Sequence, residues 1–218
     1  MSNNKEFYTL KDSSTAEITE KKSRFIADAF HIENKEDAEE KINEIKKKYY
    51  DAKHNCFAFS FIDENNNLIE KCSDDGEPSG TAGTPILNVI KKNNLNNVLI
   101  VVTRYFGGIL LGTGGLTRAY STAANNTIKQ EKIVKQVIGF EILVEIEYQE
   151  NEKFKYYCEK NNIKIVDSKY AETIFYKIEI NDEEYKKLKI KNKSNNTQLP
   201  FNIKTIVEIC QKFVEKAI

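Results

Sequence analysis

The chain has 218 residues, and its 33 basic residues balance its 33 acidic residues. This balance disfavours a protein that holds nucleic acid through bulk charge alone, although it leaves room for a local basic patch. Four cysteines without a Cys-x-x-Cys pair and only two histidines argue against a structural zinc site, and we expect neither a metal nor a cofactor. The polar N-terminal segment and the short aliphatic runs predict a cytoplasmic protein that does not enter a membrane.

Three helices are predicted in the first half of the chain. Asn34 is a good N-cap, and the apolar residues after it recur at helical spacing as far as Tyr49. Thr84, which precedes a proline, is predicted to cap a second helix. A third helix is predicted from Leu116 to about residue 130, and its stripe of small residues favours close packing on a sheet.

Strand patterns surround these helices. The run at 98–103 is apolar on both faces, which is typical of a buried central strand. The other strands are predicted at 7–10, 16–18, 24–32, 53–62 and 68–72. The first half therefore reads as mixed α and β structure.

The second half follows the order β-α-β-β-α-β. Its strands are predicted at 140–148, 163–170 and 173–180, with a polar loop over 191–200. The end of the chain, 203–214, could be a strand or a helix, and we favour a strand over 204–209. One helix carries Phe154, Tyr157 and Cys158 on one side, and Asp182 is predicted to cap the other helix. This order is that of a ferredoxin-like domain. We therefore predict an α+β protein with two domains, 1–136 and 137–218.

Two segments, 73–85 and 104–118, hold nearly all of the glycines. Glycine permits positive φ angles and close backbone approach, so this concentration predicts a built site rather than two ordinary connections. Gly139 lies outside the segments, and the eight glycines within them are Gly76, Gly80, Gly83, Gly107, Gly108, Gly112, Gly114 and Gly115.

The second segment has the features of an anion-binding loop. It ends in a glycine run immediately before the predicted third helix, where free N–H groups would face an anion. Arg104 and Arg118, two of the three arginines in the chain, bracket it. An alternative is that each arginine pairs with a carboxylate and locks a tight turn. The residues predicted to bind an anion are Arg104, Gly107, Gly108, Gly112, Thr113, Gly114, Gly115 and Arg118, with His54 as a further polar contact.

The first segment begins with acidic residues. Asp74, Asp75 and Glu77 could bind Mg²⁺ or act in acid–base chemistry. The alternative is a turn whose carboxylates accept hydrogen bonds from backbone N–H groups. His54 likewise could act as a general base or simply be hydrogen-bonded within a strand. No catalytic residue can be assigned from spacing alone.

Four stretches, 22–27, 53–58, 73–85 and 101–121, together resemble the IMPACT/YigZ family. The resemblance implies a first domain with the fold seen in a small-subunit ribosomal protein and elongation factor G. It also implies a ferredoxin-like second domain that resembles the last domain of elongation factor G. Eukaryotic members are implied to regulate translation under stress by binding a partner of an initiation-factor kinase.

Our leading functional hypothesis is a non-catalytic, translation-associated protein that binds RNA or the ribosome. The alternative is an enzyme that acts on a phosphorylated small molecule or nucleotide through the glycine-rich loop, with a metal at the acidic segment. A third hypothesis is a protein–protein adaptor whose partner regulates translation. The oligomeric state stays open.

Overall fold

A computed structural model describes residues 6–63, 65, 67–130, 132–193, 199 and 201–216. Within that part of the chain there are ten strands and five α-helices, which confirms the predicted α+β class. The chain divides into two units, Met1–Val134 and Lys135–Ile218. Among the described residues, no helix combines the length and the apolarity that a membrane span requires.

An antiparallel sheet forms the framework of the first unit, with the strand order β2-β3-β6-β4-β5. Strand β6 lies in the middle and is buried along nearly all of its length, as its apolar sequence predicts. The strands are β1 (Glu6–Leu10), β2 (Ser14–Glu20), β3 (Ser23–His31), β4 (His54–Ile62), β5 (Leu68–Ser73) and β6 (Val98–Tyr105).

Helices cover both faces of this sheet. Helix α1 (Lys35–Lys48) packs on the face that carries Phe59 and Leu99. Helices α2 (Gly83–Lys92) and α3 (Gly112–Lys129) pack together on the other face. The surfaces of α1 and of the α2–α3 pair therefore lie on opposite sides of the sheet.

Two of the three helix starts in the first unit differ from prediction. Asn34 caps α1 as predicted, since its Oδ1 accepts from the N–H of Asp37 at 2.8 Å. The prediction for Thr84 is wrong, because α2 begins at Gly83 and its first N–H groups are satisfied by Asp74 from the preceding turn. Helix α3 begins at Gly112, four residues before the predicted start, so the glycine run forms its first turn.

The second unit has the element order β-α-β-β-α-β. Its antiparallel sheet has the order β10-β7-β9-β8, and α4 and α5 contribute to the core on one face. Asn181, not Asp182, caps α5, because the Asn181 Oδ1 accepts from the N–H of Glu184 at 2.9 Å. The elements are β7 (Ile133–Ile146), α4 (Asn151–Lys160), β8 (Lys164–Tyr170), β9 (Ile174–Asn181), α5 (Asp182–Lys193) and β10 (Ile203–Lys216). Most of the loop predicted over 191–200 lies outside the described residues.

Candidate functional site

The end of β6 places Arg104 in the interior of the first unit. Its side chain is only 7% exposed, and Nη1 donates to Oε1 of Glu77 at 2.6 Å. The rings of Phe25 and Phe106 each lie 5.5 Å from the guanidinium. Arg104 therefore faces a carboxylate and two aromatic rings rather than solvent. This arrangement corresponds to the alternative in which the arginine pairs with a carboxylate and locks a tight turn.

A buried polar network surrounds this ion pair. Tyr120 donates its hydroxyl hydrogen to the same Oε1 of Glu77 at 2.9 Å, and the Cys56 Sγ lies 3.3 Å from the Tyr120 oxygen. Burial is the main cause that raises the pKa of Tyr120 far above its ordinary value, and it raises the pKa of Cys56 to about 12. Both groups are neutral at neutral pH, so Cys56 is not an activated nucleophile.

The carboxylates at 74 and 75 accept hydrogen bonds from backbone N–H groups, Asp74 within its own turn and Asp75 from β4. The two carboxylate oxygens of Asp74 accept from the N–H groups of Gly80, Ala82 and Gly83 at 2.8, 3.0 and 2.9 Å. The carboxylate of Asp75 accepts from the N–H of Asn55 at 2.7 Å. In the part of the chain that the structure describes, no group of three or more His, Cys, Asp or Glu side chains is arranged to hold a metal ion.

The Asp74 carboxylate should make stability depend on acid pH. Burial acts to raise the pKa of Asp74, but the hydrogen bonds from Gly80, Gly83 and Ala82 outweigh it and hold the pKa below its ordinary value of 3.8. A carboxyl with a lowered folded-state pKa stabilises the protein above the unfolded-state pKa, and this contribution is lost as pH falls through the folded-state pKa.

We expect Asp74→Ala to lower the free energy of unfolding at neutral pH by about 1–2 kcal/mol, because α2 loses its capping carboxylate. Urea unfolding should show this difference shrinking as the pH falls below 3.8. Ser79→Ala, an exposed change in the same turn, is the control and should have little effect at any pH. A difference that persists unchanged in acid would contradict the assignment.

His54, the first residue of β4, contacts the turn that holds Asp74 and Asp75. It lies beside Arg104 in the register of β4 and β6, and its Nδ1 is 2.9 Å from the backbone oxygen of Asp75. Because a carbonyl oxygen can only accept, Nδ1 carries the proton and donates. The ring thus holds the turn in place, as in the alternative of a hydrogen-bonded histidine.

Between β6 and α3, residues 106–111 form an exposed apolar loop, called here the 106–111 loop. Phe106, Ile109 and Leu110 are 54%, 43% and 83% exposed. The loop is fixed at Gly107, whose N–H donates to Ser23 Oγ at 3.2 Å and whose backbone passes very close to Lys22. The loop therefore projects apolar side chains from an anchored base.

The start of α3 combines open N–H groups with an arginine that has no partner in the described part of the chain. Gly112, Thr113 and Gly114 are exposed, and the N-cap residue supplies no side-chain acceptor. Because α3 begins at Gly112 and not at the predicted Leu116, Arg118 lies in its second turn instead of its first. Its side chain is exposed and has no hydrogen bond or ion pair with any described residue. By contrast, Arg24 pairs with Glu17 at 2.7 Å.

The structure thus separates the predicted site into two parts. The 106–111 loop, the α3 start and Arg118 lie together at the surface, whereas Arg104 and Glu77 are buried. The hydroxyls of Tyr120 and Ser23 complete the buried part and were not predicted, because nothing in local sequence marks either as a partner of Arg104. The exposed part is the candidate binding site.

Comparisons with known proteins agree on one family. The model of the Impact N-terminal domain matches residues 21–128. The chain is 39% identical over 176 residues to the IMPACT family member YvyE of Bacillus subtilis, covering 71% of this chain and 80% of that protein. It is 32% identical over 158 residues to the IMPACT family member YigZ of Escherichia coli, covering 72% and 78%.

A eukaryotic relative and a solved structure extend the comparison. The Protein IMPACT homolog of Dictyostelium discoideum is 41% identical over 97 residues, covering 44% of this chain and 28% of that protein. A crystal structure described as that of a hypothetical protein matches with a TM-score of 0.62 and 26% identity, covering 94% of this chain and 98% of the other. The resemblance inferred from the glycine-rich segments is confirmed, and the chain belongs to the IMPACT family.

Proposed function

We propose that this chain regulates translation by binding the ribosome in the cytoplasm and catalyses no reaction. Membership of the IMPACT family supports a role in translation, because the family resemblance implies that eukaryotic members regulate translation. The observation that carries the proposal is Arg118, which is exposed and has no partner among the described residues, together with the 106–111 loop and the start of α3 without a side-chain cap. A surface with free donors and no internal partner is suited to binding rather than to holding the fold together.

The fold of each unit adds support by analogy. In the second unit, the sheet order β10-β7-β9-β8 and the βαββαβ element order favour the ferredoxin-like assignment. For the first unit we propose the fold type of a small-subunit ribosomal protein and elongation factor G. Both fold types recur in proteins that touch ribosomal RNA, which is an argument from fold and not from the site.

The alternative of an enzyme with a metal at the acidic segment has less support. Asp74 and Asp75 already accept from backbone N–H groups, and Glu77 is buried against Arg104 and Tyr120. A metal there would have to displace these hydrogen bonds. The exposed 106–111 loop remains an argument for the adaptor alternative. Co-sedimentation with ribosomes distinguishes this alternative from ribosome binding.

We expect Arg118→Ala to weaken co-sedimentation with ribosomes by about tenfold, because a charge-assisted contact is lost from an exposed position. The measurement is sedimentation of the protein with ribosomes from its own lysate at low and at moderate salt. The fold should be unaffected, since Arg118 has no partner among the described residues.

Lys47→Ala is the matched control for this experiment. Lys47 is an exposed cation without a partner in the described part of the chain, and it lies on α1, on the opposite side of the sheet. An equal loss of co-sedimentation for Arg118→Ala and Lys47→Ala would mean that binding reflects the overall charge of the protein. Protein that stays at the top of the gradient at every salt concentration would contradict ribosome binding and favour an adaptor or a small-molecule ligand.

A further inference from the structure

One long segment of this chain contains no acidic residue. Residues 78–130 include neither aspartate nor glutamate, although the chain has 33 acidic residues. This segment forms α2, β6, the 106–111 loop and α3. Helix α1, on the other side of the same sheet, carries five acidic residues: Glu36, Asp37, Glu39, Glu40 and Glu44. The face formed by α1 therefore carries charges of both signs. The opposite face, formed by α2 and α3 and called here the α2–α3 face, has no acidic residue in either helix.

The α2–α3 face presents exposed cations that have no ion-pair partner among the described residues. Lys92, Arg118 and Lys129 are exposed and form no ion pair with any residue that the structure describes. Lys91 is different, because it pairs with Glu70 of β5 at 2.7 Å. Within the part of the chain that the structure describes, the face thus offers three positive charges without an ion-pair partner.

Two of these cations lie in one line along α3. Arg118 and Lys129 are separated by three helical turns, so they point to nearly the same side and lie about 16 Å apart along the axis. Thr122 and Asn125 fall on the same line between them, with Thr122 exposed and Asn125 half-buried. The line therefore has a cation at each end and two uncharged hydrogen-bonding groups between them.

This combination matches the chemistry that contacts a nucleic-acid backbone. Phosphate and sugar oxygens are bound by arginine, lysine, hydroxyl and amide side chains and by helix N-termini. The exposed start of α3 lies at one end of the line, directly after the 106–111 loop. In that loop Phe106 is 54% exposed, and its aromatic ring offers a surface on which a base can stack.

We propose that the α2–α3 face binds the sugar-phosphate backbone of RNA, with Lys92, Arg118 and Lys129 as the phosphate ligands. The inference rests on the proposed ribosome binding and identifies RNA as the component contacted. A protein partner fits this face less well, because protein interface cores are rich in aromatic and other apolar groups and poor in lysine. Outside the 106–111 loop, the exposed groups of this face are polar.

The test is binding of the purified full chain to fluorescein-labelled oligouridylate, measured by anisotropy between about 50 and 200 mM salt. We expect the affinity to fall linearly with salt on a double logarithmic plot. Arg118→Ala should reduce the slope by about one unit, and the triple variant Lys92→Ala/Arg118→Ala/Lys129→Ala should reduce it by two to three units, about one for each lost phosphate contact. Lys47→Ala should retain the full slope, and thermal melts should confirm that every variant is folded.

Two results would overturn this proposal. One is a wild-type chain that does not bind the RNA, and the other is an equal loss of slope in Lys47→Ala and Arg118→Ala. Sedimentation with ribosomes, run on the same variants, separates the two proposals. Ribosome binding without binding to free RNA would overturn the RNA contact and leave ribosome binding standing. RNA binding without ribosome binding would support the RNA contact and contradict the proposed function.

Discussion

Glu77→Ala is expected to lower the free energy of unfolding by about 3–5 kcal/mol, the usual cost of leaving one partner of a buried ion pair unpaired. Glu77 accepts from Arg104 at 2.6 Å and from Tyr120 at 2.9 Å. The variant would leave a guanidinium that is only 7% exposed without its carboxylate. Its Nε already has no hydrogen-bond partner among the described residues, so no spare acceptor compensates. Urea denaturation monitored by circular dichroism would measure the loss.

Two control variants separate the charge from the hydrogen bonds. Tyr120→Phe removes a neutral donor and should cost about 1 kcal/mol. The double change Arg104→Met/Glu77→Leu replaces both charges with apolar groups of similar length and should recover much of the stability lost in Glu77→Ala. A double variant as unstable as Glu77→Ala would mean that shape rather than charge makes the site sensitive.

Local patterns were sufficient for the framework of the first unit. The double-sided apolar run of β6 predicted its central position, and Asn34 predicted the start of α1, because each signal is contained in a few consecutive residues. The start of α2 could not be predicted in this way. Its capping carboxylate, Asp74, lies eight and nine residues before the N–H groups it accepts from, so only the folded turn brings them together.

The candidate site was predictable as a region but not as a set of roles. The glycine-rich segments indicated a built structure. The sequence did not distinguish the roles of Arg104 and Arg118, because both bracket the second segment in the same manner. Their difference comes from the β3-β6-β4 register, which places Arg104 over Phe25 in the interior. One useful signal was readable in the sequence and was missed: the absence of acidic residues over 78–130, which marks the α2–α3 face.

Gly107→Ala is expected to lower the free energy of unfolding by about 3 kcal/mol or more, because the added methyl group cannot be accommodated without moving the backbone. A Cβ at this position would lie 2.0 Å from the carbonyl carbon and oxygen of Lys22 and 2.4 Å from the N of Ser23. These atoms adjoin β3, which pairs with β6 and cannot shift alone. Relieving the clash would also pull the Gly107 N–H away from Ser23 Oγ.

Other glycines of the same segment provide matched controls for this prediction. Gly108 has a φ of +83° with open space around its Cβ position, so Gly108→Ala should cost only about 1 kcal/mol of backbone strain. Gly114 has open space and lies in the first turn of α3, where alanine favours the helix, so Gly114→Ala should leave stability unchanged or raise it by up to about 1 kcal/mol. The expected order of stability by urea denaturation is therefore Gly114→Ala, then Gly108→Ala, then Gly107→Ala. If Gly107→Ala were as stable as Gly108→Ala, the close approach of Gly107 to Lys22 would not anchor the 106–111 loop. The proposed binding site would then lack the rigid attachment that holds the exposed side chains of this loop in position.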